Sequence, residues 1–307
     1  MYVGRIGGII AAGSKSKARP MAPVGEISAI ERVIFTFRQA GVFPIAVITG
    51  ADVEKVRYRL SSYGVVFLPL NKGESPQLFD SIRLGLSHLN GKCERAFVTP
   101  VNTPVFTHTT LLKLSQTKGD ILIPAYRGAK GHPVLLSKEV IPEILSYQGE
   151  GGLSAAIQNS GRASILPVED EGILLSVHDE EEIQKILEAH NHSLLRPSVK
   201  IEFKKERSFY NARLKLLLFL ISDVENVKRA SRAMALSEGK AWEMINALEI
   251  QLGYPVVERQ QGGRKGGKTR LTEKGEVFLC ACQRMEEEIY RCAIERFEEL
   301  FVKTGIL

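Results

Sequence analysis

Along the first 190 residues, short apolar runs alternate with stretches whose apolar positions recur every three or four residues. Ile6 to Ala11 is an apolar run ending at Gly13, the pattern of a buried parallel strand entering a turn. A helix follows a loop. Ser28 with Glu31 forms a capping box, Ile30, Val33, Ile34 and Phe37 make an apolar stripe, and Gly41 closes the C-terminus. The alternation continues through strand Phe43 to Thr49, helix Val53 to Leu60, strand Val65 to Leu68, helix Ser75 to Leu89, strand Arg95 to Thr99, helix Thr109 to Gln116 and strand Ile121 to Pro124. Strands separated by helices of this length imply an α/β domain built on a Rossmann-like, doubly wound, mostly parallel sheet covered on both faces. Ligands bind such sheets beyond the carboxyl ends of the strands, so the loops after Ala12, Leu68 and Thr99 should line one site.

The pattern changes at His190 to Pro197, a polar stretch without periodicity, which sets the expected domains at residues 1–192 and 193–307. Val199 to Phe203 alternates like a strand, and Ala212 to Ile221 is apolar at helical spacing. Two shorter helices are predicted next, Asn226 to Met234 with Asn226 as cap, and Ser237 to Leu252 with Ser237 as cap and Gly253 as terminator. Meeting across the tight Ala235-Leu236-Ser237 turn, they form a helix-turn-helix whose second helix would enter a DNA major groove. Ala241, Trp242, Ile245, Leu248 and Leu252 form its apolar face, which places Trp242 in the core. The opposite face offers Glu238, Lys240, Glu243, Asn246 and Gln251. Lys240 and Asn246 are chemically fit to read guanine and adenine edges, and they equally suit an ordinary wet helix face.

Beyond that helix, Arg259 to Gly275 reads RQQGGRKGGKTRLTEKG, with Arg259, Arg264, Lys265, Lys268 and Arg270 and no acid until Glu273. Val256-Val257 and Thr269 to Leu271 flank the glycines as short strand-like runs, so the segment is a candidate basic hairpin, or wing, suited to a phosphate backbone. Phe278, Ala281, Met285, Ile289, Cys292, Arg296 and Leu300 then recur at three or four residues, the spacing of a helix-pairing seam.

At 307 residues, 44% hydrophobic and 25% charged, the chain is long enough for two ordinary cores and is not of the disordered class. Of its 41 Lys+Arg and 35 Asp+Glu, residues 1–192 hold 20 and 19, leaving 21 against 16 beyond. The excess positive charge therefore sits in the last third, which points to an anionic partner there. No run approaches the roughly 18 to 20 apolar residues of a membrane span. The opening MYVGRIGGIIAAG leads into a strand and glycine turn with no small-residue cleavage site after it, so a cytoplasmic protein is expected. Cys93, Cys280, Cys282 and Cys292 lack CxxC spacing and read as buried or partly buried thiols rather than a zinc site.

The loops of the first domain carry a family resemblance. IIAAG at Ile9 to Gly13 precedes a Ser/Lys/Arg-rich loop and RPMAPVG. Asn71 with Ser81 and Gly85, TPVNTP at Thr99 to Pro104, GHPVL at Gly131 to Leu135, GEGG at Gly149 to Gly152 and DEGILLSVHD at Asp170 to Asp179 follow in order. Over about residues 5 to 190 the chain resembles the MobA/MocA group of molybdenum-cofactor nucleotidyltransferases. The resemblance implies a nucleotidyltransferase fold binding an NTP with Mg²⁺ and a pterin-type acceptor. The residues it puts forward for nucleotide or ligand binding are Ala11, Ala12, Gly13, Lys15, Arg19, Asn71, Asn102, His132, Gly151 and Gly152. His132 has a second reading as a turn histidine before a proline.

The metal is where the chain departs from the pattern. The family has an aspartate in the loop after the fourth strand, where this chain has Asn102. It has another near the domain's end, which aligns with His178, or after a one-residue shift with Asp179 or Asp170. An amide and an imidazole are neutral ligands, whereas Mg²⁺ prefers carboxylate and phosphate oxygens.

The last part, carried by SEGKAWEMINALEIQLGYPVVER at Ser237 to Arg259 and GGRKGGKTRLTEKG at Gly262 to Gly275, resembles the DNA-binding domain of the molybdate-responsive ModE regulators, and more distantly the LysR type. The resemblance implies a winged helix-turn-helix with a long dimerisation helix, a homodimer, and double-stranded DNA as partner. Its DNA-facing candidates are Ser237, Lys240, Glu243, Asn246, Arg259, Arg264, Lys265, Lys268 and Arg270. The joint expectation is a DNA-binding regulator of molybdenum metabolism whose first domain binds a nucleotide or molybdopterin-type ligand. The alternative is an active Mg²⁺-dependent molybdenum-cofactor nucleotidyltransferase carrying a regulatory domain.

Overall fold

The computed structural model describes residues 5–13, 19–50, 53–60, 63–70, 77–260 and 268–306. The chain divides into two compact units, one of Met1–Leu60 with Val65–Leu195, the other of Arg196–Leu307 with Ser61–Gly64.

In chain order the first unit holds β1 (Ile6–Ala12), β2 (Pro23–Val24), β3 (Ile27–Ser28), α1 (Ala29–Gln39), β4 (Ile45–Thr49), α2 (Val53–Leu60), β5 (Val66–Pro69) and α3 (Leu78–Leu89). It continues with β6 (Arg95–Pro100), α4 (His108–Gln116), β7 (Ile121–Tyr126), β8 (Ala129–Lys130), β9 (Val134–Ser137), α5 (Ile141–Ser146), α6 (Gly152–Ser160), β10 (Ala163–Pro167) and α7 (Glu180–Ser193). The main sheet runs β10-β7-β9-β6-β1-β4-β5, with β8 attached to β7. β1 pairs in parallel with β4 on one side and β6 on the other, so the order of strands reverses at β1. Ile9, Ile10, Ile48 and Val98 from these strands are fully buried, as are the predicted stripe residues Ile30, Val33, Ile34 and Phe37 of α1.

Two features depart from a simple strand-helix alternation. After β7, a hairpin turn places Arg127 and Gly128 at positive φ and sends the chain back through β8 into β9, which lies antiparallel between β6 and β7. The sheet is therefore mixed, because a two-residue hairpin returns a strand where a crossover helix would have continued the parallel pattern. At the far end, α7 extends through Ser193, so the first residues of the polar stretch expected to mark the boundary are helical. Phe203–Lys204 is all that forms of the strand expected over Val199 to Phe203.

The expected Ser28–Glu31 cap is present: the Glu31 carboxylate accepts from the Ser28 N–H at 2.9 Å and its hydroxyl at 2.6 Å. The neighbouring Arg32 is fully buried. Its Nε donates to the Val24 carbonyl at 2.7 Å, and its Nη1 lies 3.0 Å from His190 Nδ1. His190 Nε2 lies 3.1 Å from the Phe106 carbonyl. A guanidinium can only donate and a carbonyl can only accept, so these partners require a neutral imidazole with its proton on Nε2. Burial pushes the His190 pKa down to about 4.

The second unit holds β11 (Phe203–Lys204), β12 (Ser208–Tyr210), α8 (Ala212–Val224), α9 (Val227–Ala233), α10 (Glu238–Leu252), β13 (Val257–Gln260), β14 (Lys268–Leu271) and α11 (Glu273–Phe297). α8 is its core, with Leu214 and every residue from Leu216 to Ile221 buried. Asn226 caps α9 through the Arg229 N–H, and Ser237 caps α10 through the Lys240 N–H, as their residue types predict. Between them Ala235 takes φ +53°, and the Leu236 N–H reaches back to the Ser231 carbonyl at 2.9 Å, closing a tight helix-turn-helix. Glu249 then accepts from Val256 N and Val257 N at 2.8 and 3.1 Å, steering the chain from α10 into β13. A Cβ on Gly275 would stand 2.2 Å from the Val256 carbonyl, so the glycine lets α11 start directly against that strand.

One face of α11 packs on its own unit through Leu279, Cys282 and Glu286, the last paired with Lys215. Phe278, expected in the pairing seam, instead stacks edge-on against Tyr210 at 5.4 Å and Phe203 at 6.2 Å. The rest of the stripe, from Ala281 through Ile289 and Cys292 to Leu300, is exposed except for half-buried Met285. Cys280 and Cys292 are likewise exposed, whereas Cys93 and Cys282 are buried as expected. Among the described residues no helix is long and apolar enough to cross a membrane.

His190 yields a pH dependence whose sign follows from its lowered pKa. The unfolded chain binds a proton at about 6.5 and the folded one only near 4. The stabilisation is therefore complete above pH 6.5 and is lost as pH falls toward 4. Between pH 7 and 5 the loss is roughly 2 kcal/mol. Urea unfolding at the two pH values should show it, and a His190→Gln variant should show a correspondingly smaller difference.

Candidate functional site

The reversal at β1 makes the carboxyl ends of β1 and β6 the switch point of the sheet, where folds of this kind bind ligands, and Ala11, Ala12, Gly13 and Asn102 lie at or just beyond those two strand ends. Ala11 and Ala12 end β1 and are buried; the Ala11 carbonyl accepts from Val101 N at 3.1 Å, tying the start of the next loop to the strand end. A Cβ on Gly50 would stand 2.7 Å from the Gly13 carbonyl, and one on Gly13 would stand 2.8 Å from Ser81 Oγ. The turn leaving β1 thus passes between α3 and the end of β4 with no room for a side chain. Ser81 Oγ and Thr49 Oγ1 are buried there without a hydrogen-bond partner among the described residues. Arg19 is exposed at the start of RPMAPVG. Lys15 and Asn71 lie outside the described residues.

The loop after β6 is stitched to the segment 170–179. The Asn102 carbonyl accepts from Val177 N at 2.8 Å, which brings Asn102 and His178 into one neighbourhood despite their separation in sequence. Asn102 is half-buried and His178 exposed. Asp179 Oδ2 accepts from Ser176 N at 2.7 Å while its own carbonyl starts α7. Asp170 is more fully committed. Its Oδ2 accepts from Thr107 N at 2.8 Å, Thr107 Oγ1 at 2.9 Å and Thr110 Oγ1 at 2.6 Å, and its Oδ1 from Gly172 N at 3.1 Å. This buried carboxylate fastens the loop to α4 and engages both of its oxygens within the protein. Among the described residues, no group of three or more His, Cys, Asp or Glu is placed to hold a metal ion.

His132 precedes a cis peptide bond to Pro133. Its N–H donates to the Ile173 carbonyl at 2.9 Å, and its Nδ1 is buried without a partner among the described residues. Burial lowers its pKa to about 4, so the ring is neutral and presents an unused acceptor or donor. Gly151 and Gly152, both at positive φ, open α6, where Gly152 lies beside Phe79 of α3. α3 therefore serves both glycine turns, with Ser81 at Gly13 and Phe79 at Gly152. The sequence pattern signalled Ser81 as a motif position and Thr49 as a strand terminus, but not the role of Asp170, whose threonine partners lie some sixty residues away.

In the second unit the candidate interface is α10 with the β13–β14 hairpin. Ser237, Lys240, Glu243 and Asn246 are exposed, as are Arg259, Lys268 and Arg270; Arg264 and Lys265 lie outside the described residues. Lys240 Nζ is 2.7 Å from Glu243, and Arg259 Nη2 is 3.4 Å from Asn246 Oδ1. Trp242 is not core: it is half-buried, and the Arg259 guanidinium lies over its ring at 4.0 Å. The apolar stripe of α10 is narrower than the sequence suggested, so the indole falls at its border and takes a cation as its neighbour. Register divides the basic residues. Arg259 pairs with Thr269, whereas Arg270 pairs with Glu258 and Lys268 with Gln260, so Arg259 faces α10 while the other two face away.

Residues 8–164 match the family model described as MobA-like NTP transferase domain. Over the C-terminal region, 72 residues are 34% identical to the molybdenum transport protein ModE of Azotobacter vinelandii, covering 24% of this chain and 27% of that protein. A stretch of 70 residues is 33% identical to the molybdenum-pterin-binding protein MopA of Rhodobacter capsulatus, covering 23% and 26%. The chain thus spans about a quarter of the length of these relatives. A solved nucleotidyl transferase from Methanothermobacter thermautotroptrophicus shares the fold with a TM-score of 0.52 and 18% identity, over 62% of this chain and 99% of that one.

Replacing Asp170 with Asn keeps the volume but sets an amide donor against the Thr107 N–H. The expected cost is about 1–3 kcal/mol, the penalty of an unmade buried hydrogen bond. Thermal unfolding should report that loss equally with and without Mg²⁺; a loss that appears only with Mg²⁺ present would make Asp170 a metal ligand.

Proposed function

The chain belongs to the MobA-like NTP transferase domain family over residues 8–164, and from that premise we propose that its first unit binds a nucleotide or pterin-type ligand without efficient transfer, while its second unit binds double-stranded DNA as a regulator of molybdenum metabolism. The observation that carries the first half is the commitment of the carboxylates. Nucleotidyl transfer places charge on a triphosphate and calls for a divalent cation held by anionic oxygens. Asp170 spends both oxygens on the fold, Asp179 anchors Ser176, and Asn102 and His178 are neutral donors that suit Mg²⁺ poorly. These residues do not fit the metal, and no transfer step is assigned to them. Ser81, Thr49 and His132, by contrast, offer buried polar atoms without a partner among the described residues, and a ligand needs no carboxylate to meet them.

The molybdenum link rests on the two halves being similar to molybdenum proteins independently. For the second unit, support comes from a capped helix-turn-helix followed at once by a basic hairpin, with a helix whose outer apolar stripe lacks cover. A second copy of the chain is the partner this stripe suits, which would set two hairpins against one duplex.

A thermal-shift titration with each NTP, in Mg²⁺ and in chelator, tests the first half. Stabilisation that survives the chelator is expected, amounting to about 2.7 kcal/mol at a hundredfold excess over Kd. Rapid pyrophosphate release from an NTP with molybdopterin, abolished by chelator, would make the protein a working transferase instead. Asn102→Asp combined with His178→Asp should introduce Mg²⁺ dependence into the shift.

For the second half, DNA affinity should fall with salt on a log–log slope of roughly −0.9 per phosphate neutralised. The slope should be shallower after Arg264→Ala with Lys265→Ala. It should also fall by about half in an Ile289→Glu, Leu300→Glu variant that sediments as a monomer and keeps one hairpin. Affinity indifferent to salt would leave the second unit a protein-contact module.

A further inference from the structure

Glu225, the residue that ends α8, is in a position that neither backbone nor helix favours. It takes φ +47° and ψ 32°, a left-handed conformation that costs an L-residue roughly 1 kcal/mol and that glycine or asparagine usually fills at a helix end. It also sets a carboxylate at the negative end of the helix dipole, where a cation would be stabilised. What compensates lies on the hairpin. Glu225 Oε1 is 2.7 Å from Arg270 Nε, and Oε2 is 3.0 Å from Lys268 Nζ. Its carbonyl accepts from the N–H of Thr269, the residue between those two cations, at 2.8 Å. One side chain and one backbone oxygen therefore grip three consecutive residues of β14. The whole arrangement is reachable from solvent, with the two cations about half exposed and the carboxylate a third exposed.

We propose that the Glu225 carboxylate is an intramolecular stand-in for a DNA phosphate: it holds Lys268 and Arg270 poised as a two-cation phosphate site and must be displaced, or share its cations, when the duplex binds. The inference rests on the DNA-binding reading given above and deepens it. A carboxylate and a phosphate present two oxygens to a forked pair of cations in the same way, and both form short charge-assisted bonds. With Glu225 in place the cluster carries one net positive charge, and without it two. Glu225 thus lowers the hairpin's attraction for any polyanion while keeping its side chains ordered, leaving α10 a larger share of the choice of sequence. Carboxylates of this kind confer selectivity by competition and not by contact with the partner.

Fluorescence anisotropy of the full chain with a labelled mixed-sequence duplex, across a salt series, tests it. Glu225→Gln keeps the backbone bond and removes the charge. It should bind several-fold tighter, with a log–log slope steeper by about 0.9 to 1.8 as one or two further phosphates are neutralised. Glu225→Gly removes the carboxylate and relaxes the positive φ, so it guards against a folding defect; it should show the same gain. Adding Lys268→Met and Arg270→Met to Glu225→Gln should abolish the gain. If wild-type binding is salt-dependent and neither Glu225 variant changes affinity or slope, or both bind more weakly, the assignment of Glu225 is overturned alone. If no form of the protein binds the duplex with a salt slope, the DNA-binding reading falls and takes the assignment with it.

Discussion

The first unit depends on β1 having a parallel neighbour on each side, β4 and β6, so that the order of strands reverses there. Because β4 lies on one side and β6 on the other, the loops leaving β1 and β6 diverge and cannot cover the strand ends. The crevice that results would be unstable if its walls were free. Asp170 ties them by accepting three hydrogen bonds from Thr107 and Thr110 and a fourth from Gly172 of its own segment, and Arg32 with His190 anchors the same loop at Phe106. These ties are made within the protein itself, while Ser81 Oγ, Thr49 Oγ1 and His132 Nδ1 have no hydrogen-bond partner among the described residues.

Backbone turns such as that of Gly13 are held by packing against Ser81 and Gly50. They persist as long as the sheet does. A metal site depends on particular carboxylates, and the two that remain nearby, Asp170 and Asp179, are structural. A substitution of either would remove hydrogen bonds that the fold uses.

In the second unit, charge is arranged more sparingly than composition suggests. Of the basic side chains described on the hairpin, Arg259 leans over Trp242, and Lys268 and Arg270 share Glu225. Each cation is held in place by a weak intramolecular partner that a phosphate can replace. Such pairs contribute little to stability in water. They restrict the geometry of long side chains that would otherwise lose entropy on binding.

Local features were legible in the chain itself. The capping residues Ser28, Asn226 and Ser237, the terminator Gly253 and the apolar stripes marked helices to within a residue or two, because caps and periodicity are properties of neighbours in sequence. The ends of β1, β4, β5 and β6 fall within a residue or so of where the apolar runs stop, since each run announces where it ends. The antiparallel β9 was not: its residues lie beyond the last strand the pattern marks, and only pairing with β6 and β7 gives them a place and a direction. Nor could the chain reveal that Asp170 is bound by Thr107 and Thr110, that Trp242 carries Arg259, or that Glu225 reaches Lys268 and Arg270. These are contacts between side chains distant in sequence, with no periodicity to betray them. Sequence determined the elements and the types of group available. The tertiary structure alone decided which carboxylates are spent on the fold and which cations stay open to exchange, because only folding sets the distances on which hydrogen bonds and ion pairs depend.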